Sequence, residues 1–306
     1  MKVLVADDDP VSRRLLQMSL TNAGYPVVTA CNGADALALL EQKDGPQLAV
    51  LDWMMPEMDG VEVCRIIRKD AREPYVYILL LTARGHQTEI IQGLEAGADD
   101  YIIKPFDLHE LKARLRTGKR IVELQGQLIG AREQLRVQAT HDSLTGILNR
   151  MAIMAVLEKE LSRSIREGAS VAVMMADVDH FKSVNDTHGH QAGDIVLRET
   201  ARKMLASVRS YDSIGRYGGE EFLVIAPGCG LIAAAAQAER LREFISTQAV
   251  QVDDVAIPTT VSIGVAAARD PSELSEVLRA ADEALYRAKK EGRNRVAVTS
   301  WDRATA

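Results

Sequence analysis

The chain has 306 residues, of which 47% are hydrophobic and 26% are charged, and its formal net charge at pH 7 is −6. This length predicts about two globular domains, and the acidic balance excludes a general electrostatic attraction to nucleic acid or to anionic membranes. No apolar run approaches the roughly 18 residues of a membrane span. The N-terminal MKVLVADDDP also has too few apolar residues for a signal peptide, so we expect a cytoplasmic protein without membrane insertion.

Three cysteines, Cys31, Cys64 and Cys229, lie far apart in the chain. Their spacing does not match that of metal ligands, and a cytoplasmic protein keeps its thiols reduced. We therefore predict three small, buried, reduced side chains.

Short apolar segments alternate with helical patterns from residue 2 to about residue 117. The segments that read as strands are, in chain order, VLVA, VVTA, LAVLD, VYILLLTA and DYIIK. This alternation predicts a doubly wound, five-stranded parallel sheet. In such a sheet the carboxyl ends of the strands meet at one edge, where ligands bind. The polar residues at those ends are Asp7, Asp8, Asp52, Thr82 and Lys104.

Three carboxylates in one pocket would repel one another unless a cation lay among them, and their oxygens together with waters suit octahedral Mg²⁺. A phosphoryl group transferred to one carboxylate would be neutralised by Mg²⁺, the Lys104 ammonium and the Thr82 hydroxyl. The alternative is that Asp7, Asp8 and Asp9 only cap the helix that begins near Pro10. A cap accounts for one aspartate and leaves the other strand ends unexplained.

The motifs VLVADDDP, LAVLDWMMPEMDG, LLLTA and DYIIKPF follow one another over residues 1–118 and resemble the receiver domain of response regulators. The resemblance implies that Asp52 is the phosphoacceptor and that a sensor histidine kinase or a phosphotransfer protein donates the phosphoryl group. It also implies a cis peptide bond before Pro105. Mg²⁺ would be held by Asp7, Asp8, Asp52 and the Met54 carbonyl. Thr82 and Lys104 would bind the phosphoryl group, and Tyr101 would be the aromatic switch.

A helix-forming segment continues from about residue 107 to residue 139, interrupted in sequence only by three glycines. Its apolar residues recur every seven positions in two series, Ile121, Leu128 and Leu135, and Leu124 and Ala131. Two interpretations stay open, a solvated linker helix and a two-stranded parallel coiled coil. We place this linker at 119–140, between a receiver at 1–118 and a second domain at 141–306.

The second domain mixes strands and helices in another order. The strand segments are VAVMMADVD, SIGRY, EEFLVIA, PTTVSIGVAA and RVAVT, and the helical segments are GDIVLRETARKMLASV, AAAAQAERLREFIS and SELSEVLRAADEALYRAKKEG. Gly218 and Gly219 separate two adjacent strands, which predicts a hairpin whose two-residue turn has positive φ at both glycines. The whole pattern predicts an α+β domain with a mainly antiparallel sheet.

Two glutamates, Glu220 and Glu221, stand side by side at this predicted hairpin tip, and the strand VAVMMADVD brings Asp177 to its end. The two glycines leave room for a bulky ligand. Carboxylates from two neighbouring strands make a cation site, and Mg²⁺ with few protein ligands completes its shell with substrate phosphates. The alternative is a hairpin with a solvated acidic tip, which the flanking motifs disfavour.

Those motifs are HDSLTGILNR, DVDHFKSVNDTHGHQAGD, RYGGEEF, VSIGVA and YRAKKEGRN, and from Asp142 to about Val298 they resemble a GGDEF-type diguanylate cyclase. In that family two GTP molecules, one on each of two antiparallel subunits, condense to cyclic di-GMP and release pyrophosphate. The resemblance therefore implies GTP, Mg²⁺ and a homodimer.

The family's site residues carry over position by position. Mg²⁺ would be held by Asp177, the Val178 carbonyl and Glu220, with Glu221 near the metals and the ribose. Asn185 and Asp194 would read the guanine edge, with His190 by the ribose. The triphosphate would be surrounded by Phe181, Lys182, Lys289 and Arg293. Guanine offers N1 and N2 donors to Asp194 that adenine lacks. The base that deprotonates the 3′-hydroxyl stays open between Glu220 and a metal-bound hydroxide.

Arg209 and Asp212 form an Arg-x-x-Asp pair nine residues before Gly218, as in the family's inhibitory product site. The arginine would face a phosphate or the guanine Hoogsteen edge, and the aspartate would accept from the guanine. A surface salt bridge is the alternative. Arg163 and Arg240 lie where some members of the family supply a further arginine.

The leading interpretation is a phosphorylation-regulated diguanylate cyclase with product inhibition, in which phosphorylation changes receiver dimerisation and thus the approach of two cyclase domains. The alternative is a catalytically weak module that senses cyclic di-GMP under receiver control, against which the intact GGEEF argues. A DNA-binding regulator lacks support, because no helix-turn-helix pattern follows the receiver.

Overall fold

The structure, a computed structural model, describes residues 1–69, 73–83, 87–271 and 274–299. Its internal contacts divide the chain into two compact units, Met1–Gln134 and Leu135–Ala306. Among the described residues, no helix combines the length and the apolar character needed to cross a bilayer.

The first unit is built on a five-stranded parallel sheet. Its strands are β1 (Val3–Ala6), β2 (Val27–Ala30), β3 (Leu48–Asp52), β4 (Tyr77–Thr82) and β5 (Asp100–Ile103). The strand order is β2-β1-β3-β4-β5, and every pairing is parallel. The predicted doubly wound fold is confirmed. The order reverses between β1 and β3, which opens a crevice at the carboxyl ends of these two strands.

Five helices cover the two faces of this sheet. They are α1 (Pro10–Asn22), α2 (Gly33–Leu40), α3 (Gly60–Lys69), α4 (Gln87–Glu95) and α5 (Leu108–Thr140). Alternate residues of β1 serve opposite faces, because side chains alternate along a strand. Val3 and Val5 pack with residues of α1 and α5, whereas Leu4 and Ala6 pack with residues of α2 and α3.

Helix α5 is continuous over 33 residues. Gly118 lies within it because a Cβ there would come 2.3 Å from the Tyr77 ring, so the glycine lets the helix pack against β4. Ile121, the first residue of the predicted heptad series, packs against the core of the first unit. The residues of the two series that follow Ile121 in the chain are exposed. They are Leu124, Leu128, Ala131 and Leu135. We call these four residues the α5 stripe.

The second unit has a five-stranded sheet and a separate hairpin. The sheet contains β6 (Val171–Val178), β7 (Ser213–Gly218), β8 (Glu221–Pro227), β11 (Val261–Ala268) and β12 (Val296–Val298) in the order β12-β11-β6-β8-β7. Among the pairings of these described strands, that of β12 with β11 is the only parallel one, which confirms the mainly antiparallel sheet. The small hairpin of β9 (Val250–Val252) and β10 (Val255–Ile257) was not expected from the sequence.

Two apolar layers flank this sheet. The helices are α6 (Arg150–Glu167), α7 (Phe181–His188), α8 (His190–Ser207), α9 (Leu231–Ser246) and α10 (Leu274–Lys290). Apolar residues of α8 and α9 pack on one face, and those of α6 and α10 pack on the other.

Two predictions about local structure are wrong. Gly218 pairs with Glu221, so the two-residue turn consists of Gly219 and Glu220, and of these only Gly219 has positive φ, at +47°. Positive φ at the first central residue alone is the pattern of a type II′ turn. A bulge between Arg216 and Gly218 shifts the register. Cys31 is exposed just after β2, unlike Cys64 and Cys229, which are buried as predicted.

Candidate functional site

Three aspartates meet at the carboxyl ends of β1 and β3. One carboxylate oxygen from each of Asp7, Asp8 and Asp52 lies within 4.8 Å of the others. Asp7 and Asp52 are buried, and Asp8 is exposed. Crowded carboxylate oxygens are the ligands that Mg²⁺ prefers. The donor set therefore fits the predicted ion.

Lys104 links two of these carboxylates. Its Nζ lies 3.0 Å from Asp7 Oδ2 and 2.9 Å from Asp52 Oδ2. Burial raises the pKa of Asp52, although the hydrogen bond from Lys104 opposes this shift. Burial alone would lower the pKa of Lys104, but its bonds to Asp52 and Asp7 outweigh burial and the net shift is upward. The lysine is thus held charged between two acidic groups.

The helix cap considered from the sequence is provided by Asp9, which is not one of the three clustered aspartates. Asp9 is the N-cap of α1 and accepts from the Ser12 main-chain N–H at 2.7 Å. Asp7 instead accepts from the Asp9 N–H and the Ser12 hydroxyl, which orient its carboxylate towards the crevice edge. Capping therefore explains Asp9 and leaves Asp7 and Asp8 for the pocket.

The other predicted receiver residues lie on the same sheet edge or near it. Thr82 is buried at the end of β4, and its carbonyl accepts from the Lys104 main-chain N–H at 2.7 Å. Met54 is exposed, two residues after Asp52, and Tyr101 on β5 is half-buried against the core. The Lys104–Pro105 peptide bond is cis, as predicted.

Gly60, the last residue of the motif LAVLDWMMPEMDG, has a steric role that was not predicted. A Cβ on Gly60 would come 2.3 Å from the Asp52 carbonyl oxygen. Glycine therefore lets the start of α3 approach the strand end that carries the phosphoacceptor candidate. Only a glycine fits so close to a backbone carbonyl.

Asp177 and the two glutamates lie at one strand junction of the second unit. Asp177 and Glu221 are cross-strand partners of β6 and β8, and the Val178 N–H donates to the Glu220 carbonyl at 3.3 Å. Side chains of directly paired residues lie on the same face of a sheet. The hairpin tip is thus bonded to the end of β6, where the sequence predicts a cation site.

The pKa of Asp177 is unusually high for an aspartate. Burial raises the pKa of Asp177 to about 6, and the negative charges of Glu220 and Glu221 add to the effect, while Lys289 opposes it. Lys289, in the last turn of α10, lies with its Nζ 2.7 Å from Asp177 Oδ2. Burial also raises the pKa of Glu221. A divalent cation would relieve this concentration of buried negative charge, so the residues fit Mg²⁺.

Five of the residues predicted to hold the nucleotide lie at a corner between two helices. Phe181, Lys182 and Asn185 are on α7, and His190 and Asp194 are on α8 beyond Gly189. A Cβ on Gly193 would come 2.0 Å from Asn185 Oδ1. This glycine, which the sequence analysis did not single out, brings Asp194 beside α7. Arg293 follows α10 with φ of +60°, and its N–H donates to the Ala288 carbonyl.

Asp179 holds the surrounding loops together. Its buried carboxylate accepts from the Thr260 and Ser262 hydroxyls, each at 2.7 Å, and from the Asn294 N–H at 3.0 Å. These groups belong to β11, the segment before it and the segment after α10. No role for Asp179 was predicted from the sequence, because its partners are more than 80 residues away in the chain.

Arg216 connects the hairpin to the segment before α6. Its Nη1 lies 3.2 Å from both Asp142 carboxylate oxygens, and its Nε donates to the Gly219 carbonyl at 2.8 Å. Asp142 also accepts from the Thr145 N–H and hydroxyl. Both residues lie in quoted motifs, but neither was assigned a role, since nothing in the sequence indicates that they pair.

Arg209 and Asp212 do not form the salt bridge considered from the sequence. The Arg209 guanidinium donates to the Tyr211 hydroxyl at 2.9 Å, whereas Asp212 Oδ2 accepts from the Arg209 main-chain N–H at 3.0 Å. Burial raises the pKa of the Cys229 thiol, and Arg209 and Arg240 are near enough to oppose it. Arg163, on α6, pairs with Glu167 at 2.7 Å.

Comparison with known proteins gives two family matches. Residues 139–295 match the family "Diguanylate cyclase, GGDEF domain", which is more than half of the chain, and residues 3–116 match "Response regulator receiver domain". Response regulator PleD of Caulobacter vibrioides is 27% identical, over 96% of this chain and 98% of PleD. Diguanylate cyclase DgcP of Pseudomonas aeruginosa is 40% identical over 54% of this chain and 25% of its own length.

A solved structure is similar as well. The coiled coil and GGDEF domain of DgcB from Caulobacter crescentus, crystallised in complex with c-di-GMP, is 35% identical with a TM-score of 0.56, over 62% of this chain and 99% of that one. The paired strand ends of the second unit and the acidic crevice of the first thus agree with two independent family matches. This chain belongs to the diguanylate cyclases of the GGDEF family, and it carries a response regulator receiver domain ahead of the cyclase domain.

Proposed function

We propose that the cyclase domain condenses two molecules of GTP to cyclic di-GMP and pyrophosphate, under control of phosphorylation at Asp52. The observation that carries the proposal is the junction of β6 with the hairpin, where Asp177, Glu220, Glu221 and Lys289 lie together. We assign residues 1–118 to the receiver, 119–140 to the linker and 141–306 to the cyclase domain.

Each residue of the cyclase site has a proposed role in binding the metal or the nucleotide. Asp177, the Val178 carbonyl and Glu220 would hold Mg²⁺, which would supply positive charge to the reacting phosphate. Lys289, which pairs with Asp177, would bind a phosphate oxygen. The remaining triphosphate contacts come from Phe181, Lys182 and Arg293. Glu221 and His190 lie by the ribose, and Asn185 and Asp194 bind the guanine edge.

The reaction joins two nucleotides through their sugars and phosphates. The 3′-hydroxyl oxygen of one GTP bonds to the α-phosphorus of the other, while the bond from that phosphorus to pyrophosphate breaks and the hydroxyl proton passes to a base. The same exchange in the opposite direction closes the ring. Because each site holds one GTP, two cyclase domains must face each other.

A homodimer is therefore part of the proposal. The α5 stripe offers the surface, since Leu124, Leu128 and Leu135 are exposed by 53%, 64% and 66%. Their spacing of seven residues, with the second series between, is the pattern of a two-stranded coiled coil. Bringing two such helices together would bury these leucines and set two cyclase domains side by side.

Control begins at the acidic crevice of the receiver. An Asp52 oxygen forms a bond to phosphorus while the bond from phosphorus to the donor, a sensor histidine kinase or phosphotransfer protein, breaks. Lys104, which contacts Asp52 and Asp7, and the Thr82 hydroxyl would then bind phosphoryl oxygens. Asp7, Asp8 and the Met54 carbonyl would hold Mg²⁺, which would supply further positive charge. Tyr101 responds to this change as the aromatic switch. Phosphorylation would favour the dimer.

Product inhibition through Arg209 and Asp212 completes the proposal. The two arginines near Cys229, Arg209 and Arg240, offer charge to the phosphates of cyclic di-GMP. Asp212 would accept from a guanine. Arg163 is a further candidate for this contact from a second cyclase domain.

The test uses the full chain with GTP and Mg²⁺, with and without beryllofluoride as a phosphoryl mimic. We expect cyclic di-GMP, a higher rate with beryllofluoride, and no such increase for Asp52→Asn. Asp177→Ala and Glu220→Ala should lose synthesis while keeping the thermal unfolding profile. Binding of cyclic di-GMP without any turnover by the wild type would instead favour a sensing module.

A further inference from the structure

Gln237 is a polar residue in an apolar position. It lies on α9 within the segment AAAAQAERL, and only 3% of it is exposed. A buried amide is unfavourable unless its donors and acceptors are paired. Its Nε2 donates to Asp212 Oδ2 at 2.6 Å, and this contact joins α9 to the residue that precedes β7. Gln237 thus contacts a residue of the proposed inhibitory site.

Asp212 Oδ2 receives a second donor, the Arg209 N–H, at 3.0 Å. Two bonds to one oxygen hold the carboxylate in a single orientation. Asp212 Oδ1 and Gln237 Oε1, in contrast, are buried and have no hydrogen-bond partner among the described residues. Each side chain of the Gln237–Asp212 contact thus keeps one unused acceptor, and guanine carries N–H donors at N1 and N2 that such acceptors can bind.

The charges around the pair favour the same ligand. Arg240 follows Gln237 by three residues on α9, so the two share a face of the helix. Arg209 and Arg240 lower the pKa of the Cys229 thiol, whereas Asp212 raises it. All three charges therefore lie near this one buried side chain. Two guanidinium groups and the Asp212 carboxylate near the same thiol would match a guanine dinucleotide with its phosphates.

We propose that Gln237 is a positioning residue of the inhibitory site: its amide orients the Asp212 carboxylate and so sets the cyclic di-GMP concentration at which synthesis stops. This inference rests on the proposed product inhibition. A structural role alone, tethering α9 to β7, would alter stability but not the response to the product.

The position of Gln237 allows the two effects to be separated. Strand β7 spans six residues between Asp212 and the turn, or about 20 Å at 3.3 Å per residue. Substitution at Gln237 therefore leaves the metal-binding carboxylates in place. Initial rates without added product report on those parts.

The experiment measures inhibition of the full chain by added cyclic di-GMP. Gln237→Leu removes the donor and the unpaired acceptor, and we expect the concentration for half-inhibition to rise about tenfold, the effect of one lost hydrogen bond to a charged group. Gln237→Met keeps the unbranched shape and serves if the leucine variant folds poorly. Gln251→Leu, at an exposed position of β9, is the matched control and should be inhibited like the wild type.

Three outcomes decide the matter. A selective rise for both Gln237 variants supports the inference. Equal half-inhibition of the wild type, Gln237→Leu and Gln237→Met overturns the inference and leaves product inhibition standing. If the wild type is neither inhibited nor seen to bind cyclic di-GMP by calorimetry, product inhibition itself is overturned, and this inference with it.

Discussion

Lys289 Nζ lies 2.7 Å from Asp177 Oδ2, so a lysine predicted to bind phosphate is paired with a carboxylate predicted to bind metal. Asp177 is only 5% exposed, and an unpaired buried charge would be costly. The lysine therefore balances Asp177 before any cation arrives. Binding of Mg²⁺ with GTP would replace one counter-charge by another and free the ammonium for the triphosphate. Metal and nucleotide binding should be coupled.

The first prediction concerns pH. Burial raises the pKa of Asp177 from 3.8 to about 6, so the folded protein binds a proton that the unfolded chain has already released between these values. The contribution of Asp177 to stability is therefore present below pH 3.8 and is lost as the pH rises through about 6. Mg²⁺ needs the ionised carboxylate. Its affinity should fall about tenfold for each pH unit below the pKa, as measured by calorimetry.

Asp177→Asn serves as the control for this prediction. The amide does not titrate in this range, so the cyclase site of the variant should bind Mg²⁺ weakly at every pH, and the binding that remains is that of the receiver site. An affinity in the wild type that stays constant between pH 5 and pH 7 would contradict the assignment of Asp177, whose pKa of about 6 lies in that interval.

The second prediction concerns Lys104. Lys104→Met removes the ammonium shared by Asp7 and Asp52 and leaves two buried carboxylates without a counter-charge. We expect the free energy of unfolding of the receiver to fall by about 3 kcal/mol. Mg²⁺ should restore part of the loss, because it supplies the missing charge. Urea unfolding with and without Mg²⁺ measures both effects, and Lys43→Met, at an exposed position, is the control. A loss that Mg²⁺ does not reduce would argue against an ion at this crevice.

The third prediction concerns Arg216. Arg216→Lys keeps the charge, but a single ammonium lacks the planar fork that reaches Asp142 and the Gly219 carbonyl together. The hairpin would lose its fixed position, and we expect kcat to fall about tenfold or more. Asp142→Asn should act in the same direction, and the double variant should be little worse than either single one.

Steady-state kinetics with cyclic di-GMP detection checks this prediction. Arg202→Lys, on the exposed side of α8 beside Glu199, is the matched control and should turn over normally. Strictly additive losses in the double variant would show that Arg216 and Asp142 act independently.

The fourth prediction concerns the corner between α7 and α8. In Gly193→Ala the new methyl group would lie 2.0 Å from Asn185 Oδ1 and must push this side chain away. We expect the KM for GTP to rise about tenfold, since one hydrogen bond to the base is lost. Gly126→Ala, also within a helix, has open space around its Cβ and should stabilise the protein by about 0.5–1 kcal/mol. An unchanged KM for Gly193→Ala would remove Asn185 from the guanine site.

Much of the fold could be predicted because its signals are local. The apolar segments of the receiver are short and continuous, as parallel strands buried on both faces must be, and the strand ends carry Asp7, Asp52 and Lys104 to one edge. The hairpin was predicted, but its turn was misplaced by one residue. The bulge beside Gly218 depends on how β7 pairs with β8, which a local pattern does not contain.

The site contacts that were missed are long-range or steric. Arg216 meets Asp142 across 74 residues of sequence, and Asp179 meets Asn294 across 115. Gly60 and Gly193 act by lacking a side chain where another group approaches, so their importance shows only when that group is in place. The β9–β10 hairpin has strands of three residues, too short for a clear alternation.

The buried carboxylate of Asp179 has a dynamic consequence. It is the shared acceptor for the segment before β11, for β11 itself and for the segment after α10, so none of these can open without breaking a bond to it. Segments that share such a contact tend to open as one cooperative unit. The Asn294 amide proton should therefore exchange with solvent as slowly as the strand amides beside it, and its exchange rate would report when the whole nucleotide end of the domain loosens.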